Sequence, residues 1–155
     1  MYNILLTLSR NIFFYNKIKL PDTFETRIYL MFIHFSIIMI IFKNKNEKFK
    51  QEEYDNFFHN IEYNLREHGL GDVAVNKKMK DLNKILYDIL IKIKFNQEKD
   101  IFNLNHKIIF KYFNQLDKEK DPKFIDFESY FSSFYDFCLK LPLDNMIKEV
   151  INFKY

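Results

Sequence analysis

Glycine occurs twice in the 155 residues, at Gly69 and Gly71. The chain therefore concentrates its freedom from a Cβ on one corner. Upstream of that corner, Tyr54, Phe57, Phe58, Ile61 and Leu65 recur at helical spacing as a single apolar stripe. Gly69 falls where such a helix must stop, because glycine takes the left-handed conformation at C′ without a steric penalty. Asp72 follows as the expected N-cap of the next helix, its carboxylate accepting from free amides at the positive end of the dipole. The spacing alone describes a tight αα-hairpin. If both glycines have positive φ, Gly69→Val and Gly71→Val should each cost more than about 1 kcal/mol.

With three prolines beside the two glycines, the chain lacks the turn residues of an all-β fold, and long helices are expected. Apolar residues make up 48% and aromatics 19%, enough to furnish one core and unlike a disordered chain. The expectation is an all-α, single-domain bundle of six or seven helices over 1–155, built around a buried central helix at 23–42. Lysine and arginine total 24 against 21 acidic residues, a net +3, which permits nucleic-acid binding without implying it. A lone Cys138 excludes an internal disulfide. Following Phe134 and Tyr135 on an apolar stripe, it reads as a small core residue rather than a nucleophile.

Residues 2–19 carry Ile4, Leu5, Leu8, Ile12 and Phe13 at helical spacing. They read as a first helix packed on the core, or as a basic amphipathic helix on a membrane surface. Asp22 and Glu25 stand three apart in capping-box fashion before the central helix. Residues 28–42 contain no formal charge, but this run is short for a membrane span of about 20 residues and contains His34 and Ser36. A charged connector at 43–53 leads into a helix at 50–68. A second helix at 73–95 has Val75, Met79, Leu82, Leu86, Ile89 and Ile93 on one side and Lys77, Lys78, Lys80, Lys84, Lys92 and Lys94 on the other. Helices are also expected at 98–116, at 124–138 and, after Pro142, at 143–153. A polar break at 117–121 separates the first two. The many phenylalanines exceed what one core needs, so an exposed aromatic groove is expected as a partner site.

The order Arg66-Glu67-x-Gly69-x-Gly71-Asp72-x-x-Val75-x-Lys77-x-x-Lys80 resembles the central signature of the ubiquinol–cytochrome c chaperone family, complex III assembly factors of mitochondria and related bacteria. Upstream, Pro21-Asp22-Thr23-x-x-x-Arg27 and the following apolar run with His34 resemble a second block at the family's spacing. The resemblance spans roughly residues 10 to 95, leaving 98–155 as a helical C-terminal extension. It implies a non-enzymatic chaperone that binds newly made cytochrome b during complex III biogenesis. A small partner chaperone and the ribosome are implied as further partners, with peripheral contact at the inner membrane. The implied location is the bacterial cytoplasm or the mitochondrial matrix. Carried onto this sequence, the partner-binding residues are Arg27, His34, Arg66, Glu67, Asp72, Lys77 and Lys80, with Gly69 and Gly71 as the structural hairpin. Arg27, Arg66 and Glu67 would cluster beside the corner, and an Arg27–Asp72 pair would join the two blocks. A helical protein with an aromatic groove and a basic rim could shield the apolar helices of such a client.

The rival is an RNA- or ribosome-associated helical protein that uses the basic face from Lys77 to Lys94. Two glycines make neither a phosphate loop nor a dinucleotide fingerprint. His34, His59, His68 and His106 have no zinc-site spacing. No catalytic residue, metal, cofactor or small-molecule substrate is therefore expected.

Overall fold

The computed structural model describes residues 1–96, 101–116 and 121–155, with the side chains of residues 94–96, 101 and 103 left aside. Among the described residues the fold is all-α, with seven α-helices: α1 (Tyr2–Ser9), α2 (Phe24–Asn44), α3 (Gln51–Glu67), α4 (Asp72–Lys92), α5 (His106–Tyr112), α6 (Pro122–Leu139) and α7 (Leu143–Glu149). A short antiparallel hairpin, β1 (Lys94–Asn96) and β2 (Ile101–Asn103), pairs Lys94 with Asn103 and Asn96 with Ile101.

Helix α2 is the axis. It is apolar nearly all round, and a helix of that kind must be enclosed. Leu30, Met31, Phe32, Ile33, Phe35, Ile37 and Ile38 have no exposed surface. Helices α1, α4 and α6 pack around it, and α3 closes another side by stacking Phe58 on Phe32 and tilting Phe57 against Phe35. By length and a mean hydropathy of 1.6 this helix could cross a membrane; here its apolar surface is satisfied by the bundle. One contiguous core runs from Leu5 to Phe153.

Local structure differs from expectation in two places. The N-cap of α2 is Thr23, whose hydroxyl accepts from the Thr26 amide at 3.2 Å. Asp22 instead faces outward, and its carboxylate receives the Arg27 Nε at 2.8 Å. The first segment is two pieces rather than one helix over 2–19. Helix α1 stops at Arg10, and a π-helical turn at Phe13–Lys17 follows, buried through Phe13 and Phe14. This segment packs on the core, as the first of its two readings held.

The helix expected at 98–116 is the largest correction. Its part within 97–100 lies outside the described residues, as does most of the polar break at 117–121. Phe102 and Leu104 are buried at a spacing of two, the period of a strand, and Phe102 stacks on Tyr135 with ring centroids 5.1 Å apart. Asn105 then caps α5, its side chain accepting from the Lys107 amide at 3.0 Å, which fixes the helix start five residues after the strand begins. Apolar residues three and four apart also serve a strand followed by a short helix, and the asparagine cap decided between the two.

Helix α6 begins two residues before the expected 124, with Asp121 as N-cap and Pro122 in the first turn. Cys138 on this helix is fully buried, and burial pushes its thiol well above the usual thiol range.

Candidate docking surface

The α3–α4 corner is a Schellman turn. The Leu70 amide reaches back to the Leu65 carbonyl at 3.3 Å and the Gly69 amide to the Arg66 carbonyl at 2.9 Å, the paired bonds that close a helix through a left-handed residue. Gly69 is that residue, with φ +86°. Gly71 is different. It is the N-cap of α4, with φ −73° and ψ 167°, a conformation open to any side chain, and a Cβ placed there meets nothing within 4 Å. The expectation of positive φ at both glycines is therefore corrected to Gly69 alone. Gly69→Val should cost about 1–2 kcal/mol in urea denaturation, while Gly71→Val should stay within about 0.5 kcal/mol of the parent. Equal losses in the two variants would contradict this assignment.

Asp72 is the first residue of α4 and forms no side-chain cap, which corrects its expected role. Its carboxylate pairs with Arg66, which also holds Glu62 at 2.8 Å. The Arg66 guanidinium thus spans the corner from the last turn of α3 to the first turn of α4. Arg27 belongs to Asp22 instead, so the proposed Arg27–Asp72 pair is not formed. Glu67 takes a third direction and hydrogen-bonds the Tyr63 phenol, raising its pKa. The expected single cluster of Arg27, Arg66 and Glu67 is three separate local arrangements. The start of α2 nevertheless abuts the corner: Phe24 meets the His68 ring edge-on at 5.8 Å, and Lys78 pairs with Glu25 at 3.1 Å.

His34 is fully enclosed, so it meets no partner on this surface and its expected binding role is replaced by a structural one. Its Nδ1–H donates to the Leu30 carbonyl at 2.7 Å, which leaves Nε2 to accept from the Tyr130 hydroxyl at 3.1 Å. The expected aromatic groove is absent among the described residues, since every phenylalanine side chain there is buried or partly buried. The sequence offered more rings than one helix needs, and the bundle uses them to pack seven helices against one another.

What is exposed lies along α4. Val73, Lys77, Lys80, Lys84, Tyr87 and Ile91 follow one another at steps of four and three residues, so they share one face over about 27 Å of helix. Val73 is 85% exposed, Tyr87 53% and Ile91 73%. Lys77 and Lys80 are exposed and form no ion pair among the described residues. Lys84 sits 3.6 Å from Asp81, and Lys92 pairs with Asp88, which also receives Lys111 at 2.7 Å and the Tyr112 hydroxyl at 2.6 Å. Those donors hold the Asp88 carboxyl well below the usual carboxylate range. The side chain of Lys94 lies outside the described residues. Sequence reasoning found the lysines and missed Val73, Tyr87 and Ile91, because one apolar stripe had already been assigned to the core. The signal was a second stripe half a turn away. Among the described residues, no group of three or more His, Cys, Asp or Glu side chains is placed to hold a metal ion.

The fold and this face define a helical protein that presents a mixed apolar and basic exposed face along one long helix. The chain belongs to the ubiquinol-cytochrome c chaperone family, whose model matches residues 16–120. That match runs from the turn before α2 through the corner and α4 to the segment after α5. No curated protein and no solved structure matches the chain.

Proposed function

We propose that this protein assists complex III biogenesis by holding newly made cytochrome b, with the outer face of α4 as the docking surface. The family match is the observation that carries this reading; the exposed Val73, Lys77, Lys80 and Tyr87 supply a matching surface. An unassembled membrane protein exposes apolar helices bordered by polar ends. A face with apolar residues at its ends and lysines between them can engage both. The protein works as a binding partner, at the cytoplasmic side of a bacterial inner membrane or in a mitochondrial matrix. A small partner chaperone and the ribosome remain part of the proposal.

The alternative of RNA or ribosome binding through the lysine face has less support. Of its lysines, Lys78, Lys84 and Lys92 face Glu25, Asp81 and Asp88. Lys77 and Lys80 alone fall well short of the roughly six to ten phosphate contacts of a strong nucleic-acid binder.

Crosslinking in the native host followed by affinity capture should enrich cytochrome b over an unrelated membrane protein. The double variant Lys77→Glu/Lys80→Glu should reduce that enrichment about tenfold with its circular dichroism unchanged. Failure to enrich cytochrome b overturns the client assignment. Capture that survives the double variant moves the surface elsewhere. Capture of RNA with a steep inverse dependence on salt would favour the alternative.

A further inference from the structure

At the far end of α4 from the glycine corner, a groove of about 880 Å³ opens between the last turns of α2 and α4 and the segment joining α2 to α3. Its floor is apolar, formed by Met39, Ile40, Phe49, Leu90 and Ile91. Its rim is basic: Lys43 and Lys48 line it and form no ion pair among the described residues, against one carboxylate, Glu47. Helix C-termini carry negative partial charge, which would oppose an anion. At the end of α2, however, the carbonyls of Ile41, Phe42 and Lys43 are occupied by the amides of Lys45, Glu47 and Asn46. The lysines therefore set the sign of the rim. The side-chain amide nitrogen of Asn44, which lines the groove, is buried with no acceptor among the described residues. A buried donor left unpaired is costly, and turning the Asn44 side chain toward an oxygen-rich group at the rim would remove that cost.

We propose that this groove seats one acyl chain of an anionic phospholipid of a bilayer, with the headgroup phosphate against Lys43, Lys48 and the Asn44 amide. The volume lies in the range of a single bound ligand, about 300–1,000 Å³, and is too compact for a long partner helix, which needs an extended trough. The unopposed lysines match an anionic headgroup and would gain nothing from a neutral one. Ile91 is shared by the groove and the exposed face of α4, so a protein seated this way lies with that face along the membrane surface. The inference goes beyond the chaperone reading and does not depend on the identity of the client.

The test uses the whole chain and sedimentation with vesicles of phosphatidylcholine alone or of phosphatidylcholine and phosphatidylglycerol at about 7:3. Binding is expected to the anionic vesicles and to fall about 30-fold in Lys43→Gln/Lys48→Gln, the loss of two lysines' attraction at a charged surface. Ile91→Asp, at a position that supports no core packing, should also abolish it, while Ile125→Asp, at an exposed position on α6, should not. The chain contains no tryptophan, so Phe49→Trp gives one reporter in the groove, with Ile91→Trp as the second choice should the first not fold. Its emission should be quenched by brominated acyl chains in anionic vesicles. Equal binding to neutral vesicles, no binding to either kind, or vesicle binding without quenching of the folded reporter would each overturn the proposal. Loss of client capture with vesicle binding intact would strike the chaperone reading alone.

Discussion

Truncation of Phe14 to alanine is expected to remove about 3–5 kcal/mol from the stability of the fold. Phe14 is fully buried on the π-helical turn after α1. Its ring meets Tyr130 at 4.5 Å, Phe131 at 5.8 Å and Phe127 at 6.0 Å, and stands edge-on to His34 at 6.2 Å. These neighbours sit on α2 and α6, two rigid helices, so the space left by the ring has little chance to collapse. A domain stable by about 5–15 kcal/mol would lose a large part of its margin. Urea denaturation followed by far-ultraviolet circular dichroism measures the loss. Ile12→Ala, two residues away at an exposed position, should shift the midpoint by less than about 0.5 kcal/mol. A loss at Phe14 below about 1 kcal/mol would mean that the N-terminal segment is not seated as described. The same curves bear on domain organisation. Phe14 and its α6 partners lie outside the matched residues 16–120 yet enclose the helix at the heart of the match. One cooperative transition across all probes is the outcome expected of a single domain.

The large features of this fold were legible because they depend on local pattern. The buried axis shows as an uncharged run at 28–42, and the corner shows as the two glycines next to the end of an apolar stripe. The helix expected at 124–138 is marked by phenylalanines at steps of three and four, while its start lies two residues earlier, behind the Asp121 cap. What was not legible depends on choices between near-equal partners. Asp22, Thr23 and Glu25 all offer an oxygen at the start of α2, and the hydroxyl of Thr23 won the cap because Asp22 found Arg27. Asp72 could have capped α4 or paired with either arginine, and the nearest across a tight corner was Arg66. Phe102 falls in a strand rather than a helix because Asn105 caps α5 only after it, and its ring then stacks on Tyr135, more than thirty positions away on α6. The candidate surface was half legible for a related reason. Lysines announce themselves by charge, whereas an exposed valine or isoleucine looks in sequence like any other core residue.

Acidification from pH 7 to pH 4 is expected to cost the fold about 3 kcal/mol through His34 alone. Burial drives its imidazole pKa down from the ordinary 6.5 to about 4, partly offset by the bond to the Leu30 carbonyl. The sign follows from proton uptake. Between about pH 6.5 and pH 4 the unfolded chain binds a proton at this histidine and the folded chain does not, so stability falls as pH falls through that window. It is fully present above about pH 6.5, and below about pH 4 no further loss comes from this group. Neither ring nitrogen has a carboxylate to compensate a charge: one meets Leu30 and the other Tyr130, while Phe131 and Phe134 close edge-on at 4.9 and 4.7 Å. Tyr130 gives no help, because burial holds its phenol above the usual range and therefore neutral throughout. Carboxylates whose pKa values are lowered, Asp88 and Glu25 among them, also weaken the fold in acid. A comparison with His34→Leu at each pH isolates the histidine. The variant is less stable at pH 7, since the Tyr130 hydroxyl loses its acceptor. Its stability should nevertheless decline less steeply, so that the gap to the parent narrows by about 3 kcal/mol between pH 7 and pH 4. Parallel stability curves would show that His34 titrates as if in water, and with that the description of α2 as an enclosed axis would fail at its centre.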